Sequence, residues 1–526
     1  MFETAELGRK ISKTDFKRLT PVLREELLDL QDGLRRGRHF QVILLFAGVD
    51  GAGKGETVSL LNEWMDPRWL ITRAYDEPSD VELERPEFWR YWRDLPPRGH
   101  IGMFLSAWCS RPVLDRVHEK SSEETFLKRL DRIVRYERAL ASDGALILKF
   151  WMHLSRNAQE HRLKSLERDP LTAARVTARD WEHWHIYDKF IDTAERLITR
   201  TNRGIAPWTV VEGADSRYRG VTVATVLRDA LKRRLREVES DSASKQASRK
   251  HSNKDKGRAR LGSKQEKSAA GGKSNNAHHR TVNSITVLNR LDMSKRLNKS
   301  AAREQSMELQ ARLHELHLRA KAKKISSILL FEGPDAAGKG GAIRRVNEAL
   351  DARNYQVHGI AAPTDEENAQ HYLWRFWRQL SRAGHITVFD RSWYGRVLVE
   401  RVEGFATEDE WRRSYEEIND FEDQLIEHGI VLIKCWIHIT KEEQLARFKL
   451  REKTTYKRWK LTDEDWRNRE KWNAYEQAVN DMVQYTSTSV APWTLVEGND
   501  KRYARIKVLK TFCDRLAIAL GGPLSK

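Results

Sequence analysis

The chain has 526 residues, too many for one ordinary hydrophobic core, so two domains with connecting segments are expected. A formal net charge of +18 calls for an acidic partner, and charge alone leaves nucleic acid, a membrane surface and a polyanionic small molecule all open. Cys109, Cys435 and Cys513 are the only cysteines and show no CxxC spacing, which argues against a disulfide framework or a structural zinc site and fits a reducing compartment.

The N-terminal MFETAELGRKISK has no apolar core of signal-peptide length, and no run of about 18 apolar residues occurs, so a soluble, cytoplasmic protein without a membrane partner is expected. The first predicted strand, Ile43–Phe46, runs into the glycine-rich stretch GVDGAGKGE at 48–56. FWRYWRDLPPRGHI (88–101), FLSAWCSR (104–111), LILKFWMHL (146–154) and APWTVVEGAD (206–215) follow. Residues 240–280 are rich in Ser, Lys, Gly and Asn, with too few large apolar side chains to repay their ordering entropy. From Lys245 to Arg280 this segment carries eleven Lys or Arg against two acidic residues, and it reads as a flexible basic linker, a solvated tether.

Beyond the linker the same phrases return at a constant offset of 285: SILLFEGPDAAGKGG (327–341), LWRFWRQLSRAGHI (373–386), FDRSWYGR (389–396), LIKCWIHI (432–439) and APWTLVEGND (491–500). The chain therefore reads as one domain written twice, with expected boundaries 1–239, linker 240–280 and 281–526. Short β-branched and Leu-rich runs, such as Ile328–Phe331, Thr387–Phe389 and Val431–Ile433, alternate with helical patterns such as Ala342–Leu350 and Glu408–Glu427. Such alternation predicts α/β units on a parallel sheet flanked by helices.

In GPDAAGKGG a strand, a glycine loop and a helix follow one another, as a phosphate-binding P-loop requires. Gly333, Gly338, Gly340 and Gly341 let backbone amides approach phosphate oxygens, the helix N-terminus adds positive potential, and Lys339 neutralises a transferring group. A bare turn is the plain alternative, which two copies in matching context disfavour. Gly340, and Gly55 in the first copy, stand where nucleotide-binding P-loops place a Ser or Thr that holds magnesium. A metal must then be held by carboxylates, with Asp335 and Asp390 as candidates, and the phosphoryl donor need not be a nucleoside triphosphate. FDRSWYGR follows a short strand and so sets Asp390 and Arg391 at a carboxyl end of the sheet, where Arg391 suits a phosphate grip. Arg396, Glu400 and Arg401 follow at helical spacing as further substrate contacts or as a surface charge ladder.

GPDAAGKGG together with FDRSWYGRVLVERV resembles the polyphosphate kinase 2 family, and both copies carry its GxDxxGKG loop. The resemblance covers nearly the whole chain outside the linker. It implies a P-loop kinase-like fold with a helical lid, duplicated in tandem, that moves the terminal phosphoryl group of inorganic polyphosphate to AMP, giving ADP, with Mg2+. It also implies a basic lid in Ala446–Trp472, with Arg447, Arg451, Lys457 and Lys460 as substrate contacts and Asp465 as a metal or orienting carboxylate. The same resemblance implies the partners: polyphosphate and AMP or ADP, no nucleic acid, and a homodimer. In register, Asp390, Arg391, Ser392 and Tyr394 become Leu105, Ser106, Ala107 and Cys109, whereas Phe104, Trp108 and Arg111 persist. Lys457 and Lys460 become Thr172 and Arg175, so the first copy is expected to be catalytically silent, although Asp50, Gly53 and Lys54 remain. The competing readings are a polyphosphate-dependent nucleoside diphosphate kinase, an ATP-dependent nucleoside monophosphate kinase, and a nucleic-acid- or polyphosphate-binding protein without activity.

Overall fold

The structure is a computed structural model that describes residues 1–261, 286–454 and 462–522, with the backbone alone for 242–261. The chain forms two compact units, Met1–Asp76 with Asp94–Asn283 and Glu77–Arg93 with Ser284–Lys526. The short segment Glu77–Arg93 thus groups with the second unit although it lies within the first repeat.

The first unit is built on β1 (Val42–Gly48), β2 (Leu70–Ala74), β3 (Ile101–Leu105), β4 (Leu146–His153) and β5 (Trp208–Glu212). All pairs are parallel, in the order β2-β3-β1-β4-β5. The second unit repeats this with β6 (Ser327–Glu332), β7 (Tyr355–Gly359), β8 (Ile386–Asp390), β9 (Val431–His438) and β10 (Trp493–Glu497), in the order β7-β8-β6-β9-β10. The central strands β1 and β6 are buried along almost their full length, which is why they read as unbroken apolar runs rather than alternating ones. In each unit the order reverses around the central strand, so a crevice opens at its carboxyl end. In the second unit the glycine loop leaves β6 there, and Asp390–Arg391 leaves β8 beside it.

The helix after the second loop spans Lys339–Asn347, starting three residues before the predicted Ala342 because Gly338, at φ +114°, is its cap. The predicted helix Glu408–Glu427 is present, and Thr407 with Glu410 forms a reciprocal cap at its start. Helix Ser216–Leu261 runs into the segment expected to be a flexible linker. Its composition rules out a packed core but not a helix, since between Ser240 and Leu261 there is no Pro and only one Gly. The remainder of that segment, 262–285, lies outside the described residues.

A buried polar cluster ties the segment after β8 to the sheet. Lys434 Nζ on β9 lies 2.6 Å from Glu422 Oε2 and donates to Thr486 O at 2.7 Å. Trp393 Nε1 and Tyr394 OH donate to Glu422 Oε1 at 3.0 and 2.7 Å. The first unit keeps the core of this cluster: Lys149 Nζ lies 2.6 Å from Glu137 Oε2 and donates to Thr201 O at 2.8 Å, and Trp108 Nε1 reaches Glu137 at 2.9 Å. Trp108 and Trp393 therefore persist as anchors of the strand-end segment. Among the described residues no helix is long and apolar enough to cross a membrane.

Candidate active site

The loop Gly333–Lys339 in the second unit is held in a shape that most side chains would break. Gly333 has φ +150°, and a β-carbon there would collide with the Ile437 carbonyl oxygen. Lys339 Nζ curls back to donate to Gly333 O at 2.8 Å and to Pro334 O at 3.4 Å. A β-carbon on Gly340 would meet only open space, so this glycine leaves the loop mouth uncrowded.

Asp335 is the hub. Its Oδ1 accepts from Arg391 Nη2 at 2.9 Å and its Oδ2 from Asn468 Nδ2 at 3.0 Å. Its carbonyl accepts from Gln444 Nε2 at 3.1 Å. Burial acts to raise the Asp335 carboxyl pKa, but Lys339, Arg391 and Asn468 outweigh it and hold the group below the usual carboxylate range. Asp465 is shifted the other way, pushed up by burial and by the neighbouring Asp335 charge despite its bond from the Thr462 amide. Two carboxylates facing each other in this way are what a divalent cation would relieve.

Arg391 sits at φ +65°. Its amide donates to Phe331 O at 3.0 Å, and the left-handed backbone turns the chain off β8 toward the glycine loop. Next to it, Ser392 Oγ donates to the buried Glu332 Oε1 at 2.8 Å. Burial raises the Glu332 carboxyl to about 7, against the pull of Ser392, Lys339 and Arg391. Asp390 ends β8 directly before Arg391 and pairs through its backbone with Gly359 and Phe331.

A cleft of about 790 Å³, including its solvent-open mouth, lies against Asp335, Arg391 and Asn468. Trp436, His438, Trp472 and Tyr475 give it aromatic walls, and Leu398, Val399 and Val479 apolar ones. A flat ring with a charged end fits this combination of surfaces.

The other residues singled out in the sequence fall into different places. Arg447 is buried beneath the loop, where Nη1 donates to Ala336 O and Ala337 O at 2.9 and 2.7 Å and Nη2 to Gly498 O and Asn499 O at 2.6 and 3.0 Å. With Nε on Glu443 at 2.6 Å, its donors are spent bracing the loop rather than lining a lid. Arg396 pairs with Glu400 at 3.1 Å over the Tyr372 ring. Arg401 pairs with Asp481 at 2.8 Å and lies over Trp411, so it ties helices together. Arg451 lies in the last turn of helix Lys441–Lys453, from where its charge acts on Asp465. Lys457 and Lys460 lie outside the described residues. Among the described residues no three His, Cys, Asp or Glu side chains converge as metal ligands, so Asp335, Asp390 and Asp465 do not form a ready-made cage.

Asn468, Gln444 and Glu332 were not singled out in the sequence. Gln444 was findable, because Gln159 stands 285 residues earlier and donates to Asp50 O at 3.1 Å in the same way. Asn468 corresponds to His183, whose Nδ1 lies 2.6 Å from Asp50 Oδ2. Burial raises Asp50 as it does Asp335, and Lys54 and His183 overcome it, holding Asp50 well below the usual range. The first unit thus keeps the loop and the hub carboxylate, with His183 on Asp50 where Asn468 meets Asp335, and with Ser106 at the register position of Arg391.

The sequence model of the polyphosphate kinase 2 family matches residues 10–239 and 296–520. A polyphosphate:AMP phosphotransferase of Pseudomonas aeruginosa PAO1 is 47% identical over 519 residues, covering 99% of both chains. Another of that name, from Pseudomonas syringae pv. tomato, is 47% identical and covers 98% of both. A solved structure described as a polyphosphate kinase 2 from Pseudomonas aeruginosa PA01 superposes with a TM-score of 0.85 at 45% identity, covering 99% of this chain and 100% of that one.

Proposed function

The chain belongs to the polyphosphate kinase 2 family, and from that premise we propose that it is a polyphosphate:AMP phosphotransferase, moving the terminal phosphoryl group of inorganic polyphosphate onto AMP to give ADP. The observation that carries the reading is the Asp335–Arg391–Asn468 cluster, which joins the glycine loop to an aromatic cleft. The full-length relatives with that activity in their names support the choice of acceptor.

The loop amides and Lys339 take the donor's terminal phosphates, and Arg391 grips the oxygens between donor and acceptor. The cleft between Trp472 and Tyr475 receives the nucleoside and keeps water from the transferring group. The attacking atom is a phosphate oxygen of AMP, already anionic, so positioning and charge neutralisation replace a strong general base. Enzymes of this family generally need a divalent metal. Magnesium is the assignment here, with Asp335 and Asp390 as its carboxylates and Asp465 orienting them. One or two carboxylates plus substrate phosphates are what that ion commonly accepts. Held there, it would supply positive charge to offset that of the transferring phosphates. The protein acts in the cytoplasm as a homodimer on this reading, which sedimentation of the full chain tests.

The discriminating experiment offers AMP or ADP with polyphosphate or ATP as donor and follows product nucleotides. ADP from AMP and polyphosphate is the expected result. Turnover with ATP and none with polyphosphate would overturn the reading, and a preference for ADP would shift it to the diphosphate kinase alternative.

A further inference from the structure

The two units differ by a linked exchange beside the loop helix. In the first unit Glu56 stands in the opening turn of helix Lys54–Trp64. Its Oε1 lies 2.6 Å from Arg162 Nη2 and its Oε2 2.5 Å from Arg219 Nη2. Arg219 is 3% exposed and also donates to Gly213 O at 2.6 Å and Thr57 Oγ1 at 3.1 Å. Its guanidinium lies so close that a β-carbon on Gly53 would collide with it. The chain's own carboxylate therefore sits where the helix N-terminus and two guanidiniums favour an anion.

At the register positions of the second unit, Glu56, Arg219 and Gly220 are replaced by Gly341, Ala504 and Arg505. The carboxylate has gone and the guanidinium has moved one residue along its helix. A β-carbon on Gly341 would lie 3.1 Å from Arg505 Nη2, so the guanidinium covers the vacated place. Among the described residues no carboxylate pairs with Arg505 and its side chain donates no hydrogen bond. Burial, then Arg345, Arg344 and Arg447, all press its pKa down, with Glu348 opposing. Arg345 is held by Glu348 and Arg447 by Glu443 and the loop carbonyls, and Arg344 is exposed to water, so among the described residues of this cluster Arg505 is the half-buried cation without a counter-charge. A half-buried guanidinium without a counter-charge is costly, and a substrate phosphate removes the cost.

We propose that Arg505, lying over Gly341, binds a phosphate of the polyphosphate chain beyond those held by the glycine loop, and that Glu56 with Arg219 closes the same place in the first unit. The choice of polyphosphate rests on the function proposed above. The test compares the full-length chain with Arg505→Gln, Arg505→Lys and Gly341→Glu, each checked for an unchanged thermal melt. Arg505→Gln should raise KM for polyphosphate about tenfold while kcat and KM for AMP stay within about twofold. Arg505→Lys should recover part of the loss, and Gly341→Glu should reproduce it by supplying an internal carboxylate to Arg505. An unchanged KM for polyphosphate in Arg505→Gln, or a rise confined to AMP, overturns the proposal. If the wild type does not turn over polyphosphate, the functional reading falls separately, and equilibrium binding of polyphosphate decides the role of Arg505: equal affinity in wild type and Arg505→Gln overturns it.

Discussion

Asp335 accepts from a guanidinium and an amide through its two carboxylate oxygens and stays ionised because Lys339 and Arg391 offset its burial. A neutral isostere would keep the shape and lose the charge, so Asp335→Asn, and equally Lys339→Ala and Asp390→Asn, should each lower polyphosphate-dependent ADP formation by about 10²-fold or more with the fold intact by thermal melt. Glu332 makes a different prediction. Its folded pKa, about 7, lies above the ordinary 4.5, so its contribution favours folding in full below about 4.5 and is lost as pH rises through about 7. The loss is on the order of 3 kcal/mol, and Glu332→Gln should flatten the melting temperature between pH 5 and 8 relative to wild type. Asp335, Lys339, Asp390 and Arg391 could be singled out because each belongs to a motif of recognisable spacing, and the structure sets Arg391 on Asp335 beside the loop lysine. Asn468 was not, because it is one polar residue in the charged stretch WRNREKW and its partner lies 133 residues away. Glu332 was hidden because an acidic residue at a strand end looks solvated until the burial around it is known.

At the scale of elements, the glycine loop and the helix behind it answer to different forces. Gly333→Ala would force a β-carbon against Ile437 O and a side chain into φ +150°, and should cost about 2 kcal/mol or more in denaturant melts. Helix Glu408–Glu427 is fastened to β9 by the Glu422–Lys434 pair. Lys434→Met leaves Glu422 buried without its counter-ion and should destabilise by about 3–5 kcal/mol. Adding Glu422→Gln, which still accepts from Trp393 and Tyr394, should recover most of that. The helix itself was readable end to end, since Thr407 and Glu410 announce its start. Arg447, expected from the resemblance as a lid contact, has its donors taken by loop carbonyls, and a motif match does not tell a substrate-facing guanidinium from such a brace.

For the whole molecule, the repeat was the most legible feature, because a constant offset needs no knowledge of packing. Less legible was how far the first unit has closed. Leu105→Asp with Ser106→Arg restores two residues but leaves Glu56, Arg162 and Arg219 joined at the loop helix. In a chain whose second site is silenced by Asp390→Asn, that double variant should show no ADP formation above the Asp390→Asn background. The grouping of Glu77–Arg93 with the second unit had no signal in the repeat, since register records ancestry and not final contacts.

Ser106 keeps φ +52° where Arg391 has φ +65°. Such an angle favours Gly or Asn, yet in both units a residue with a β-carbon holds it and donates its amide to the central strand, Ser106 to Phe46 O and Arg391 to Phe331 O. The bend is thus common to both units while the side chain it presents is not, so the strand-end geometry is set by the sheet and the chemistry by the residue placed on it.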